Sequence, residues 1–278
     1  MSQDHSIASL CAALDVTRTG YHAWLSGSPS QRAQTDAALI LKIGSIHAQH
    51  KGRYGAPRIE NELRTNGHCH GRKRVARLMK EAGLRGRCSR RFVPQTTDSQ
   101  HDEPIAPNRL TQAPAPQKPN QVWVSDLTYV PTQEGWLFVA VILDLWSRRI
   151  VGWSTGASLQ SSLVLSALQM ALRHRRPASG LIHHSDRGVQ YASAEHRAAL
   201  EAAGIKASMS RRANPYDNAA MESFFATYKR ECVALSGGYG TRAEGTADFF
   251  EYAESYYNRE RIHSRVDSRQ NVTEGGDR

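Results

Sequence analysis

The sequence predicts an α/β fold, a mixed five-stranded sheet flanked by helices and preceded by small all-α helix-turn-helix modules. Three features point to it. Apolar residues keep helical spacing up to about residue 82, six of the 11 prolines then crowd into 92–120, and beyond them short hydrophobic runs alternate with helical patterns.

The first module spans residues 1–33. Ile7, Leu10, Cys11 and Leu14 keep helical spacing, Val16 to Gly20 turns the chain, and Tyr21, Trp24 and Leu25 continue as a second short helix. The second module spans 34–91. Leu39, Ile43 and Ile46 predict a helix over 35–48 with Thr35 or Asp36 as its N-cap. Gly52-Arg-Tyr-Gly55 is a break, Pro57 suits the first turn of a helix carrying Ile59 and Leu63, and Asn66-Gly67 stops it. A helix over 71–82 ends at Gly83. It sets Val75, Leu78 and Met79 on one face and Arg72, Lys73, Arg74, Arg77 and Lys80 on the others, as a major-groove recognition helix requires.

The charge supports that reading. The 278 residues carry a formal charge of +10 and a pI near 9.7, which points to a polyanionic partner, nucleic acid ahead of an anionic membrane. Residues 51–91 hold 13 Lys/Arg against three Asp/Glu, so this segment accounts for the whole surplus. Arg53 and Arg58 join the helix residues as candidate DNA contacts, against the alternative of a merely solvated basic face. Phosphate binding of this kind weakens steeply with salt.

Cys11, Cys69, Cys88 and Cys232 form no paired metal-ligand spacing, and His68-Cys69-His70 lacks the separation that zinc ligands need. The amino terminus has neither a basic nor a long apolar stretch, and no run of about 18 apolar residues occurs, so a soluble cytoplasmic, nucleoid-associated protein is expected.

Residues 92–120, with prolines at 94, 104, 107, 114, 116 and 119, predict an extended, semi-rigid linker. The third unit, 121–264, opens with three strands, Val122–Val130, Trp136–Asp144 and Arg149–Ser154, joined by tight turns as an antiparallel meander. A helix over 161–175, a strand Leu181–Ser185, a helix over 194–203, a strand over 205–208 and a helix over 215–233 complete the order βββαβαβα. Asn214 and Pro215 open the last helix as N-cap and first residue. The tail, 265–278, has no aromatic residue and is expected to fray.

Three acids stand out. Asp126 interrupts an apolar strand, where ionised oxygens are costly unless paired or bound to a cation. Asp186 closes the fourth strand at a turn, a position where α/β folds place reactive groups and where a plain turn aspartate is also common. Glu222 lies on the last helix among Ala219, Ala220, Phe224 and Phe225, with Lys229 two turns on. Hard carboxylate oxygens suit magnesium, and two ions about 3.5 to 4 Å apart can serve in-line phosphoryl transfer.

The stretches Trp123–Tyr129, Ile142–Trp153, His183–Tyr191, Ser208–Phe225 and Tyr256–Ser264 resemble the integrase core of bacterial insertion-sequence transposases with a three-acid site, a family related to retroviral integrases. The resemblance covers most of 121–264, and the 35 residues between Asp186 and Glu222 match that group's spacing. Thr17–Leu25, Gly52–Ile59 and Arg72–Leu84 resemble the helical amino-terminal part of the same proteins, in particular the catalytic product of elements that split the enzyme over two frames.

The resemblance implies a ribonuclease-H-like core and a transposase that cleaves DNA at the element's ends and transfers the strand. Asp126, Asp186 and Glu222 are its implied magnesium ligands, two ions with manganese able to substitute, and Lys229 its implied phosphate contact. It implies terminal inverted repeats and target DNA as partners, a homo-oligomer on DNA, and an upstream-frame product or fusion to supply the coiled coil that this chain lacks. Asp144 also fits the family pattern but is read as structural, and His183 and His184 as positioning or packing residues. Two positions depart from the pattern: Ala213 stands where glycine is usual, and the expected residues after Ser264 are absent. The rival expectations are a stand-alone ribonuclease-H-like nuclease and a DNA-binding regulator with an inactive core.

Overall fold

The computed structural model describes residues 6–27, 29–87, 103–111, 113–211, 218–234 and 238–262, and the chain divides into two compact units, 1–87 and 88–278. The expectations for Asn214, Pro215, Ala213 and the tail fall outside the described residues.

In the first unit, α1 (Ile7–Ala13) and α2 (Arg18–Leu25) are capped by the hydroxyls of Ser6 and Thr17. The third helix, α3, runs Gln31–Gln49 rather than 35–48, because Ser30 supplies the cap by accepting from Ala33 N. With α4 (Ala56–Thr65) and α5 (Arg72–Glu81) it encloses Leu39, Ile43, Ile46, Ile59, Leu63, Val75, Leu78 and Met79, the helical spacing read from the sequence. Gly86 crosses Gly55 so closely that a Cβ on Gly86 would lie 2.6 Å from the Gly55 Cα, so position 86 has no room for a side chain.

The second unit is built on a five-stranded sheet ordered β3-β2-β1-β4-β5. Its strands are β1 (Val122–Thr132), β2 (Gly135–Asp144), β3 (Ile150–Gly156), β4 (Ile182–Ser185) and β5 (Lys206–Met209). The first three pair antiparallel as the predicted meander, and β4 and β5 join parallel to β1. Helices α6 (Ser161–Arg175), α7 (Val189–Ala192) and α8 (Ala194–Ala202) contribute to the core on one face, packing Leu163, Val164, Ala167, Leu168, Tyr191 and Leu200 with Trp123, Ala140, Ile142 and Val151.

Helix α9 (Ala219–Tyr228) runs into a π-turn at Lys229–Val233, and α10 (Arg242–Phe250) into a second at Glu251–Tyr257. The last described helix departs from the predicted order, which ends at 233. Its signal is present, a reciprocal Thr241–Glu244 capping box followed by Phe249, Tyr252 and Tyr256 at helical spacing, and the predicted order stops short of it.

The described part of the proline-rich segment makes contacts of its own. Residues 103–111 and 113–120 carry no helix or strand, yet they are not a free spacer. Arg109 N donates to Ser208 Oγ (2.9 Å), Arg109 Nε to Ala207 O (3.2 Å), Asn120 N to Asp144 Oδ2 (2.7 Å), and Ala106 packs on the core. Arg109 thus ties the segment to the edge strand β5, through its backbone N–H to the Ser208 hydroxyl and its guanidinium to the Ala207 carbonyl. Among the described residues no helix is long and apolar enough to cross a membrane.

Candidate active site

Strands β1 and β4 run parallel with Val122 beside Ile182, Trp123 beside His183 and Val124 beside His184. Continued two residues on, that register sets Asp126 next to Asp186, on strands about 4.8 Å apart. Asp126 pairs across the sheet with Val141, on the side chain parity of Leu137, and Leu137 lies against Gly245 of α10. The carboxylates therefore face the layer of α9 and α10, while Trp123 and Ser125 face α6 and Tyr191.

Asp126 and Asp186 are half-buried and Glu222, in the first turn of α9, is exposed. Each aspartate is oriented by one backbone donor, Leu127 N to Asp126 Oδ1 (2.7 Å) and Gly188 N to Asp186 Oδ1 (2.9 Å). Although part of Asp126 meets solvent, its carboxyl is enclosed, and this burial pushes its pKa well above the ordinary carboxylate range. The charge of Asp186 pushes it further and Glu222 adds to the effect, while Leu127 N–H and Lys229 pull it down.

Lys229 is half-buried at the start of the first π-turn, its Nζ 4.9 Å from the centre of the Tyr129 ring. Burial lowers its pKa and Asp126 raises it again. The structure thus brings together Asp126, Asp186 and Lys229, with Glu222 felt at Asp126 from further off. Among the described residues, no three carboxylate, imidazole or thiol groups are gathered closely enough to enclose an ion. The donor chemistry nevertheless fits a hard cation: the acids offer oxygens only, and the mutual repulsion recorded at Asp126 is what a divalent ion relieves.

The neighbouring residues have structural roles. Asp144, fully buried, accepts from Ser147 N (2.8 Å), Ser147 Oγ (2.9 Å) and Asn120 N (2.7 Å), which fixes the turn into β3. His184 shares a hydrogen bond with Ser208 Oγ (2.8 Å), and His183, its ring 5.3 Å from that of His196, is held neutral by burial. Tyr191, overlooked in the sequence, hydrogen-bonds Ser125 Oγ (2.8 Å) beneath Asp126.

The predicted DNA contacts of the helical unit divide into four sets. Arg72, Lys73 and Lys80 are exposed on α5. Arg74 and Arg77 grip Asp36 of α3 at 2.6 Å each, and Arg77 also grips Glu81 at 2.6 Å, so their charge is partly spent on bracing the helices. Arg53 is buried in the helical unit, at 8% exposure. Arg58 is half-buried, with its guanidinium 5.5 Å from the Tyr54 ring centre.

Comparison with known proteins agrees with this layout. Residues 116–215 and 203–269 match families described as Integrase core domain, and residues 34–92 match an HTH-like domain. The chain is 47% identical to the insertion element IS600 uncharacterized 31 kDa protein of Shigella sonnei, over 92% of this chain and 94% of that one. It is 41% identical to the transposase for insertion sequence element IS904 of Lactococcus lactis, over 86% and 94%, and 39% identical to transposase InsF for insertion sequence IS3A of Escherichia coli, over 94% and 91%.

Proposed function

This chain belongs to the insertion-sequence transposases with an integrase core, and on that premise we propose that Asp126, Asp186 and Glu222 are the acids that hold its divalent metal. As a transposase it acts on DNA in transposition and integration, as a polynucleotidyl transferase of a metal-dependent family. The observation that supports the site assignment is the parallel register of β1 and β4, which, carried two residues on, brings Asp126 beside Asp186 toward the layer of α9 and α10.

Magnesium, as two ions with manganese able to substitute, would there polarise the attacking and leaving oxygens of an in-line phosphoryl transfer. Asp126 and Asp186, each oriented by a backbone N–H to its Oδ1, would offer carboxylate oxygens to the metal. Glu222, exposed in the first turn of α9 and acting electrostatically on Asp126, is the third acid of the set. Lys229, near Asp126 at the start of the π-turn, takes a phosphate oxygen of the strand being cut. Arg72, Lys73 and Lys80 grip the phosphates of the element's terminal repeat, with Arg74 and Arg77 holding the recognition helix at its angle. A homo-oligomer on DNA, and an upstream-frame partner or fusion, complete the working assembly.

An oligonucleotide carrying the element's end tests this. Magnesium-dependent nicking at the end, followed by joining of the freed 3′ end to a second duplex, is expected. Nicking without joining would mark a stand-alone nuclease, and binding without nicking would mark a DNA-binding regulator with an inactive core.

A further inference from the structure

Glu231 and Arg261 are 30 residues apart in sequence and form an ion pair sealed from solvent, with side chains 1% and 7% exposed. Glu231 Oε1 accepts from Arg261 Nη2 (3.2 Å), and its Oε2 from Arg261 Nε (3.3 Å) and from Tyr252 OH (3.1 Å). Three positions earlier than Arg261, the buried Asn258 behaves as a short extra strand. Its Nδ2 donates to Ile150 O (2.9 Å) and its Oδ1 accepts from Ile150 N (2.8 Å), pairing with the outer strand of the sheet. One short segment therefore holds the sheet with one side chain and the first π-turn with another.

That π-turn begins at Lys229 and continues the helix that carries Glu222. The helix also meets the C-terminal helix through aromatic contacts, Phe224 to Tyr257 (4.9 Å), Tyr228 to Phe249 (5.0 Å) and Tyr228 to Tyr252 (5.2 Å). Its N-cap, Asn218, makes no side-chain capping bond. Apolar packing is non-directional and leaves sliding and rotation of a helix weakly specified. A bidentate guanidinium–carboxylate pair fixes both. A buried ion pair is a poor source of net stability against an apolar replacement, so its use here is better explained by what it orients.

We propose that Asn258 and Arg261 form a latch that, through Glu231, sets the position of Glu222 and Lys229 against the Asp126–Asp186 pair. Asn258, Arg261 and Glu231 are then positioning residues, and the inference rests on the metal site assigned above.

The test uses the full chain and two variants. Arg261→Lys keeps the charge but loses the two-pronged grip, and Glu231→Gln keeps the shape but loses the charge. Melting is followed against magnesium concentration without DNA, and cleavage kinetics are measured in parallel. With the far-UV spectrum unchanged, the magnesium needed for half of the metal-induced rise in melting temperature should increase about tenfold, the usual scale for a lost supporting partner. kcat should fall about tenfold or more, with KM for DNA within about twofold of wild type. A merely structural role predicts earlier melting with metal titration and kcat unchanged, and that result overturns the latch. Should both variants fail to fold, Tyr252→Phe, which removes one donor to Glu231, must shift the metal titration in the same direction, and an unchanged titration overturns the latch. A wild-type chain whose melting ignores magnesium overturns the metal site and the latch together.

Discussion

Asp126→Asn should reduce cleavage and strand transfer by roughly a thousandfold or more while leaving DNA binding intact, because it removes a metal ligand without touching the basic helix. The same change should make the metal-free protein more stable at neutral pH. In the folded chain, burial and the charges of Asp186 and Glu222 raise the Asp126 pKa well above its unfolded value. The folded state therefore binds the proton more tightly, and stability falls as pH rises from the ordinary carboxylate range through that raised value. Asparagine, neutral and of the same shape, removes this loss. Below the ordinary carboxylate range the two proteins should melt alike, and above the window the variant should melt higher. Magnesium should raise the melting temperature of wild type by mass action and leave the variant unmoved. Thermal melts at several pH values, with and without magnesium, check all of these outcomes, and an active variant would remove Asp126 from the chemistry.

Gly152→Ala should be the most damaging single-methyl change in the catalytic unit. A Cβ on Gly152 would lie 2.3 Å from Ala167 O, 2.8 Å from Ala171 Cβ and 2.9 Å from Ala171 N, all belonging to the α6 helix seated on β3. Two of those atoms are backbone and the third is a Cβ, so no side chain can swing aside. The helix must lift from the strand, opening the layer of Val151, Leu163, Ala167 and Ala171. A loss of about 3 kcal/mol or more is expected, a fall of about 6–12 °C in melting temperature for a domain of this size. A melt within about 2 °C of wild type would show that α6 approaches β3 less closely.

How much of this could be read from the sequence depended on whether the responsible partners are near one another along the chain. Asp126 and Asp186 were legible because each breaks a local pattern, an acid in an apolar strand and an acid at a strand end. The meander was legible for the same reason, since period-two runs and their turns are local. Glu231, by contrast, reads as an ordinary solvated helix residue, and only the arrival of Arg261 from 30 positions downstream buries it. Arg74 and Arg77 read as free phosphate donors because Asp36, their partner, lies 38 and 41 residues upstream. Arg53 sits in a polar, glycine-flanked break, where nothing local announces its burial. The C-terminal helix carried an equally local signal, the Thr241–Glu244 capping box and Phe249, Tyr252, Ala253 and Tyr256 at helical spacing, although the predicted order stops short of it.

The convergence of Asp126, Asp186 and Glu222 on divalent metal is the claim on which the rest depends. Manganese is a faithful stand-in for magnesium and scatters X-rays anomalously, so diffraction from manganese-soaked crystals of the chain with DNA locates the ions directly. Anomalous peaks between Asp126 and Asp186, with Glu222 drawn to at least one of them, are the predicted result. Peaks elsewhere, or none beside Asp126 at manganese concentrations that support cleavage, would contradict the account.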